Sequence, residues 1–252
     1  MYSPLYEIRQ QLVDELFSIP WGHHVQIISK CKGNAQKALF FVLKTKENNW
    51  SRSVLLNFLD TDLYERNGKA ITNFKSALPE PNSDLAQQMT KDPYCFDFLT
   101  LSQQFSEKEL KDALMDSIQK FLLELGSGFA FVGREVRIEV GATEKFIDML
   151  FYNIKLECFV VIEVKTRSFR PEDIGQLSAY VGGVNHILKK ATDKPTIGLL
   201  ICKDKDEILA KYTIENFNQP IGISEYELNK LIPENFKGTL PTIQEIEEEL
   251  KK

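Results

Sequence analysis

"FIDMLFYNIKLECFVVIEVKTRSF", from Phe146 to Phe169, reads as two β-strands joined by a short turn around Asn153. In the second strand, Cys158, Val160, Ile162 and Val164 share one face, and Phe159 and Val161 lie on the other. Apolar residues on both faces predict a central strand covered on both sides. Three charges interrupt this pattern: Asp148, Glu163 and Lys165. A charge buried without a partner is costly, so such residues answer to a ligand, a metal or each other. Side chains alternate along a strand, so Glu163 and Lys165 point the same way, towards the strand's C-terminal end. A hairpin turn at Asn153–Lys155 places Asp148 alongside, within reach of Glu163.

Two carboxylates and a backbone carbonyl can hold Mg²⁺, which takes oxygen ligands and keeps several waters. Such an ion lowers the pKa of a bound water and neutralises a phosphoryl oxygen. A neighbouring ammonium can orient the water or stabilise the charge that develops. The competing reading is a structural ion pair between adjacent strands. An E-x-K triplet alone does not separate the two; convergence with Asp148 favours the catalytic one.

The rest of the chain sets the frame. It has 252 residues and a formal net charge of -5, with 43% hydrophobic and 27% charged residues. That composition suits a globular protein with a sizeable core and argues against a surface basic all over. Cys31, Cys95, Cys158 and Cys202 are scattered without a CxxC pair, so reduced thiols and a cytoplasmic protein are expected. No signal peptide or membrane-spanning run is read. His23 and His24 lack an acidic or cysteine partner at ligand spacing and read as capping or surface groups.

Helical spacing dominates from Met1 to about residue 78, first in "LYEIRQQLVDELF" and then in segments interrupted at Gly33-Asn34 and restarted at a Ser51 cap. Residues 1–78 are therefore expected as a helical N-terminal domain, a platform for DNA, a protein partner or self-association. "ALPEPNSD" opens a linker region, residues 79–105. One helix is expected from Ser106 to Leu125, with a Ser106/Glu109 capping box and a stop at Gly126. Strands follow in "FAFVGREVRIEVG", "KFIDMLFYN" and "LECFVVIEVKT", then a helix after Pro171, a strand in "TIGLLIC" and a helix over 205–216. Residues 106–230 thus form an α/β domain. The tail, 231–252, carries a short amphipathic helix.

Asp148 followed by Glu163-Val164-Lys165 resembles the PD-(D/E)XK nuclease signature in its D…ExK form, with Ile147 in place of the proline. Helix, three strands, helix, strand is similar to that superfamily's restriction-endonuclease-like αβββαβ core. Gln176 and Tyr180, in "QLSAY", resemble the QxxxY element of RecB-like and Cas4-like nucleases. Several blocks from about Ser106 to Leu228, with "IPWGHH" and the helix after "NNWS", are similar to the YhcG-like family of bacterial nucleases. That resemblance implies a helical N-terminal region longer than the one beginning here at Met1.

The resemblance implies a Mg²⁺-dependent endonuclease, with Mn²⁺ as an alternative ion, acting most readily on DNA. Asp148, Glu163, Lys165 and Gln176 would be catalytic, Asp148, Glu163 and Glu124 metal ligands, and Tyr180 supporting. Between Glu163 and Lys205 there are eight basic and five acidic residues, and Arg167, Arg170, Lys189 and Lys190 are candidate phosphate contacts. The alternative is a catalytically silent nucleic-acid-binding or assembly module on the same fold.

Overall fold

A computed structural model describes residues 18–140, 143–229 and 231–232. The chain divides into two compact units, Met1–Asn67 and Gly68–Lys252. The helices expected within residues 5–17 and 242–252 lie outside the described residues.

In the first unit, α1 (Trp21–Cys31), α2 (Ala35–Asn48), α3 (Arg52–Asp60) and α4 (Leu63–Arg66) enclose a core that includes Ile27, Phe41, Leu55 and Phe58. The break between α1 and α2 falls where expected. Lys32 and Gly33 take positive φ, and the Asn34 side chain caps α2 by accepting from Lys37 N–H. Ser51 caps α3 through Val54 N–H.

The second unit begins earlier than the sequence suggests. Within residues 68–78 lie β1 (Ile71–Thr72) and α5 (Phe74–Ala77). The expected linker holds α6 (Asn82–Met89), β2 (Tyr94–Cys95) and β3 (Leu101–Ser102). β1 belongs to the main sheet, so the boundary at residue 78 moves to Asn67/Gly68. Asn73 fixes this attachment. Its amide donates to the carbonyls of Phe217 and Gln219 at 2.8 and 2.9 Å, and its Oδ1 accepts from Ile221 N–H at 2.8 Å.

The expected single helix from Ser106 is two: α7 (Glu107–Asp116) and α8 (Ile118–Leu125), separated at Ser117. The Ser106/Glu109 capping box is present. Next come β4 (Phe129–Val140), β5 (Thr143–Asn153), β6 (Cys158–Val164), α9 (Pro171–Ile187), β7 (Ile197–Cys202), α10 (Glu207–Ile214), β8 (Ile221–Glu227) and β9 (Leu231–Ile232), which pairs with β3. The sheet runs β1-β8-β7-β6-β5-β4, with β2 also on β8. β4 to β6 are antiparallel, and β6 to β8 parallel.

β6 is central and buried on both faces, as its residues require. One face packs against α7 and α8 through Met149, Phe151, Val160 and Ile162, the other against α9 through Leu150, Val161 and Leu200. Asn153 closes the β5–β6 turn, its Oδ1 accepting from Lys155 and Leu156 N–H at 3.0 Å each. Gly198 on β7 admits α9: a Cβ there would stand 2.9 Å from Leu177 Cγ. Among the described residues no helix is long and apolar enough to cross a membrane, and all four cysteines are free.

Candidate active site

The β5–β6 ladder pairs Leu150 with Val161 and Met149 with Ile162. Asp148 precedes Met149 on β5 and Glu163 follows Ile162 on β6, and the Asp148 charge acts on the Glu163 carboxyl. Lys165 follows two residues later, its N–H bonded to Ile201 O at 2.9 Å, so the ladder with β7 continues beyond β6.

Glu163 is 1% exposed. Its Oε1 accepts from Lys165 Nζ at 2.8 Å and from Gln176 Nε2 at 3.1 Å. Its Oε2 is buried and takes no hydrogen bond among the described residues. Burial, and then the Asp148 charge, push its carboxyl up to about 7 against the pull of Lys165. The Gln176 amide spends its other hydrogen on Tyr180 Oη at 2.9 Å, and Tyr180 is itself buried. The i, i+4 spacing expected from "QLSAY" therefore meets Glu163 from α9.

Two groups on α7 complete the cluster, and the sequence reading missed both. Glu107 Oε1 lies 3.3 Å from Lys165 Nζ and 2.8 Å from Lys111 Nζ. Lys111 Nζ also lies 2.6 Å from Asp148 Oδ2, off the directions of a hydrogen bond. Burial works against both ammonium groups, but the surrounding carboxylates outweigh it and hold each above the ordinary lysine range. Burial raises Glu107, and the two lysines outweigh it, leaving the carboxyl lowered. The only sequence signal was Glu107 and Lys111 at i, i+4 on an amphipathic helix, which ordinarily marks a solvated pair.

Glu124 lies on α8. It is buried near the end of α8, its Oε1 accepting from Cys95 N–H at 2.9 Å, and Glu107 is the helical carboxylate that meets the site. Lys189 and Lys190 follow the C-terminal end of α9, about 20 Å along the helix from Gln176 at 1.5 Å per residue. They belong to the end of the sheet where Lys194 N–H meets Glu157 O. Arg167 is held by Asp173 through two bonds of 2.9 and 2.6 Å. Arg170 is exposed where α9 begins.

Among the described residues no group of three or more His, Cys, Asp or Glu is arranged to hold a metal. Asp148, Glu163 and a strand carbonyl nonetheless suit an oxygen-seeking ion that keeps most of its shell as water. The unpartnered Glu163 Oε2 is the atom that such an ion would satisfy.

Helix, three antiparallel strands, helix and parallel strand, with Asp148 within β5 and Glu163-Val164-Lys165 at the end of β6, define a restriction-endonuclease-like PD-(D/E)XK fold. The family model described as the YhcG PDDEXK nuclease domain matches residues 87–241, and the DUF1016 N-terminal domain matches residues 1–66. The chain belongs to the YhcG PDDEXK nuclease domain family. It is 30% identical over 230 residues to the protein named "Putative nuclease YhcG" of Escherichia coli (strain K12). That match takes in 89% of this chain and 60% of the relative, so the chain spans about 60% of that relative's length. A repair endonuclease from Pyrococcus abyssi aligns at 16% identity and a TM-score of 0.33, over 52% of this chain and 50% of that one. The EndoMS-dsDNA2 complex aligns at 17% and 0.35, over 54% and 49%. The fold assignment rests on the strand topology and the family match.

Proposed function

We propose that this chain is a Mg²⁺-dependent endonuclease acting on phosphodiester bonds in DNA. The buried Glu163 Oε2, unpartnered among the described residues, is the observation that carries this reading. A structural ion pair has no use for a buried carboxylate oxygen without a protein donor.

Asp148 and Glu163 would hold the ion, Mg²⁺ or Mn²⁺, together with a strand carbonyl. When bound, the ion supplies Lewis acidity at a phosphate oxygen and lowers the pKa of a coordinated water. Gln176 fixes the rotation of the Glu163 carboxylate, and Tyr180 fixes Gln176. Lys165 presents an ammonium to the charge that develops on the attacked phosphate, and Glu107 keeps it in place. Arg170, exposed beside the site, offers a contact to backbone phosphate without reading sequence. The first unit supplies a further surface for DNA, a partner or another copy.

The test is cleavage of plasmid, branched DNA and RNA by the purified chain with Mg²⁺, with Mn²⁺ and with chelator. Metal-dependent cuts in DNA that vanish in Asp148→Asn support the reading. No cleavage of any substrate, with no metal-induced rise in melting temperature, leaves the silent binding module in its place.

A further inference from the structure

Lys111 has the contacts of a cation placed where a metal would go. Its ammonium sits 2.6 Å from Asp148 Oδ2 and 2.8 Å from Glu107 Oε1, so it spans the two. Its side chain is 16% exposed and that of Asp148 18%, close enough to solvent for exchange without opening the core. The capping box at Ser106 fixes where α7 starts and so puts Glu107 and Lys111 one turn apart on the side facing β5. Lys165 cannot serve Asp148 in the same way, because Glu163 and Glu107 already engage it.

The charges make the arrangement specific. Asp148, Glu163 and Glu107 against Lys111 and Lys165 leave a formal charge of -1. Removing the Lys111 ammonium from Asp148 leaves that carboxylate acting on the Glu163 carboxyl of the adjacent strand. A divalent ion bound between them reverses the sign of the cluster, provided that Lys111 stays nearby. The cluster then attracts a backbone phosphate instead of repelling it. A lysine on a flexible stem with a second carboxylate within reach suits both states.

We propose that Lys111 is the resident counter-cation of this site: its ammonium neutralises Asp148 in the metal-free protein and withdraws onto Glu107 when a divalent ion takes that carboxylate. This rests on the metal-dependent reading above. It makes Lys111 a competitor of the metal, the opposite of a residue that builds the metal site.

Titration calorimetry with MgCl₂, without nucleic acid, on wild type, Lys111→Gln and Lys111→Arg separates the cases. Lys111→Gln should bind Mg²⁺ about tenfold more tightly than wild type, a difference of ~1.4 kcal/mol. Lys111→Arg, which keeps the charge, should stay close to wild type. A second measurement uses wild type alone: acylation of the Lys111 amine by a water-soluble reagent should speed up when Mg²⁺ is added. Lys111→Gln binding Mg²⁺ with unchanged or weaker affinity, or an amine reactivity indifferent to saturating Mg²⁺, overturns this proposal alone. Absence of Mg²⁺ binding in wild type and variants alike overturns both it and the reading on which it rests. If Lys111→Gln does not fold, the wild-type acylation decides.

Discussion

Gln176 Nε2 reaches Glu163 Oε1 at 3.1 Å from α9, while its second hydrogen is held by Tyr180. The helix covering the sheet thus sets the rotation of a carboxylate that belongs to the sheet. Gln176→Leu should lower the cleavage rate by about 10–100-fold, the usual cost of losing a group that orients a metal ligand. Its melting temperature should stay near that of wild type. A variant that cleaves at the wild-type rate would remove Gln176 from the site.

Lys165 should separate binding from chemistry. Lys165→Met keeps both carboxylates, so Mg²⁺ should still bind in calorimetry. Cleavage of plasmid should fall by about 10²–10³, the loss expected for one group that stabilises transition-state charge. Loss of Mg²⁺ binding instead would mean that Lys165 chiefly shapes the site.

Glu163 gives the metal-free protein a pH dependence whose sign is fixed. Its carboxyl titrates at about 7 when folded, against an ordinary value of 4.5, so the folded state holds the proton more tightly. The resulting stability is fully present below pH ~4.5 and is lost as pH rises through about 7. In chelator, the melting temperature should decline across that window. The decline should be equivalent to roughly 3 kcal/mol, at about 1.36 kcal/mol for each tenfold difference in proton affinity between the folded and unfolded chain. Glu163→Gln should flatten that part of the profile and melt at or above wild type near pH 8. A steep fall in stability on that substitution would instead identify a structural ion pair.

Asn73 should be costly to remove although it lies far from the cluster. Asn73→Ala strips the acceptor from Ile221 N–H and the donor from the Phe217 and Gln219 carbonyls. About 2–4 kcal/mol of stability should be lost, since buried backbone groups are left unsatisfied. Chemical denaturation measures it. A chain started at residue 79, which lacks both Asn73 and β1, should not fold stably.

The parts of this molecule visible in its sequence are those governed by short periods. The β5–β6 hairpin is legible because apolar residues occupy both faces of β6, so Glu163 and Lys165 stand out against them. Gln176 and Tyr180 are legible through the resemblance to the QxxxY element, whose i, i+4 spacing puts both on one helix face. Glu107 and Lys111 are not, because their pairing looks like any exposed i, i+4 pair until β5 places Asp148 beside it. Residues 68–105 are read as domain end and linker because two-residue strands have no period at all. They are held by partners more than 100 positions away, as Ile71 is by Ile223. The strand β8 is absent from the sequence reading, although "IGISEYE" supplies the partner for β7, β1 and β2.

The Glu163 carboxylate has one oxygen engaged twice, by Lys165 and Gln176, and only the other left over. Such a group can give an incoming ion a single oxygen. A large cation with a loose shell gains most from carboxylates that clasp it with both oxygens, whereas a small six-coordinate one is content with one from each and water for the rest. On the proposed metal-dependent reading, the two donors to Glu163 would therefore also act as a filter of ionic size, favouring a small six-coordinate ion although neither would touch it.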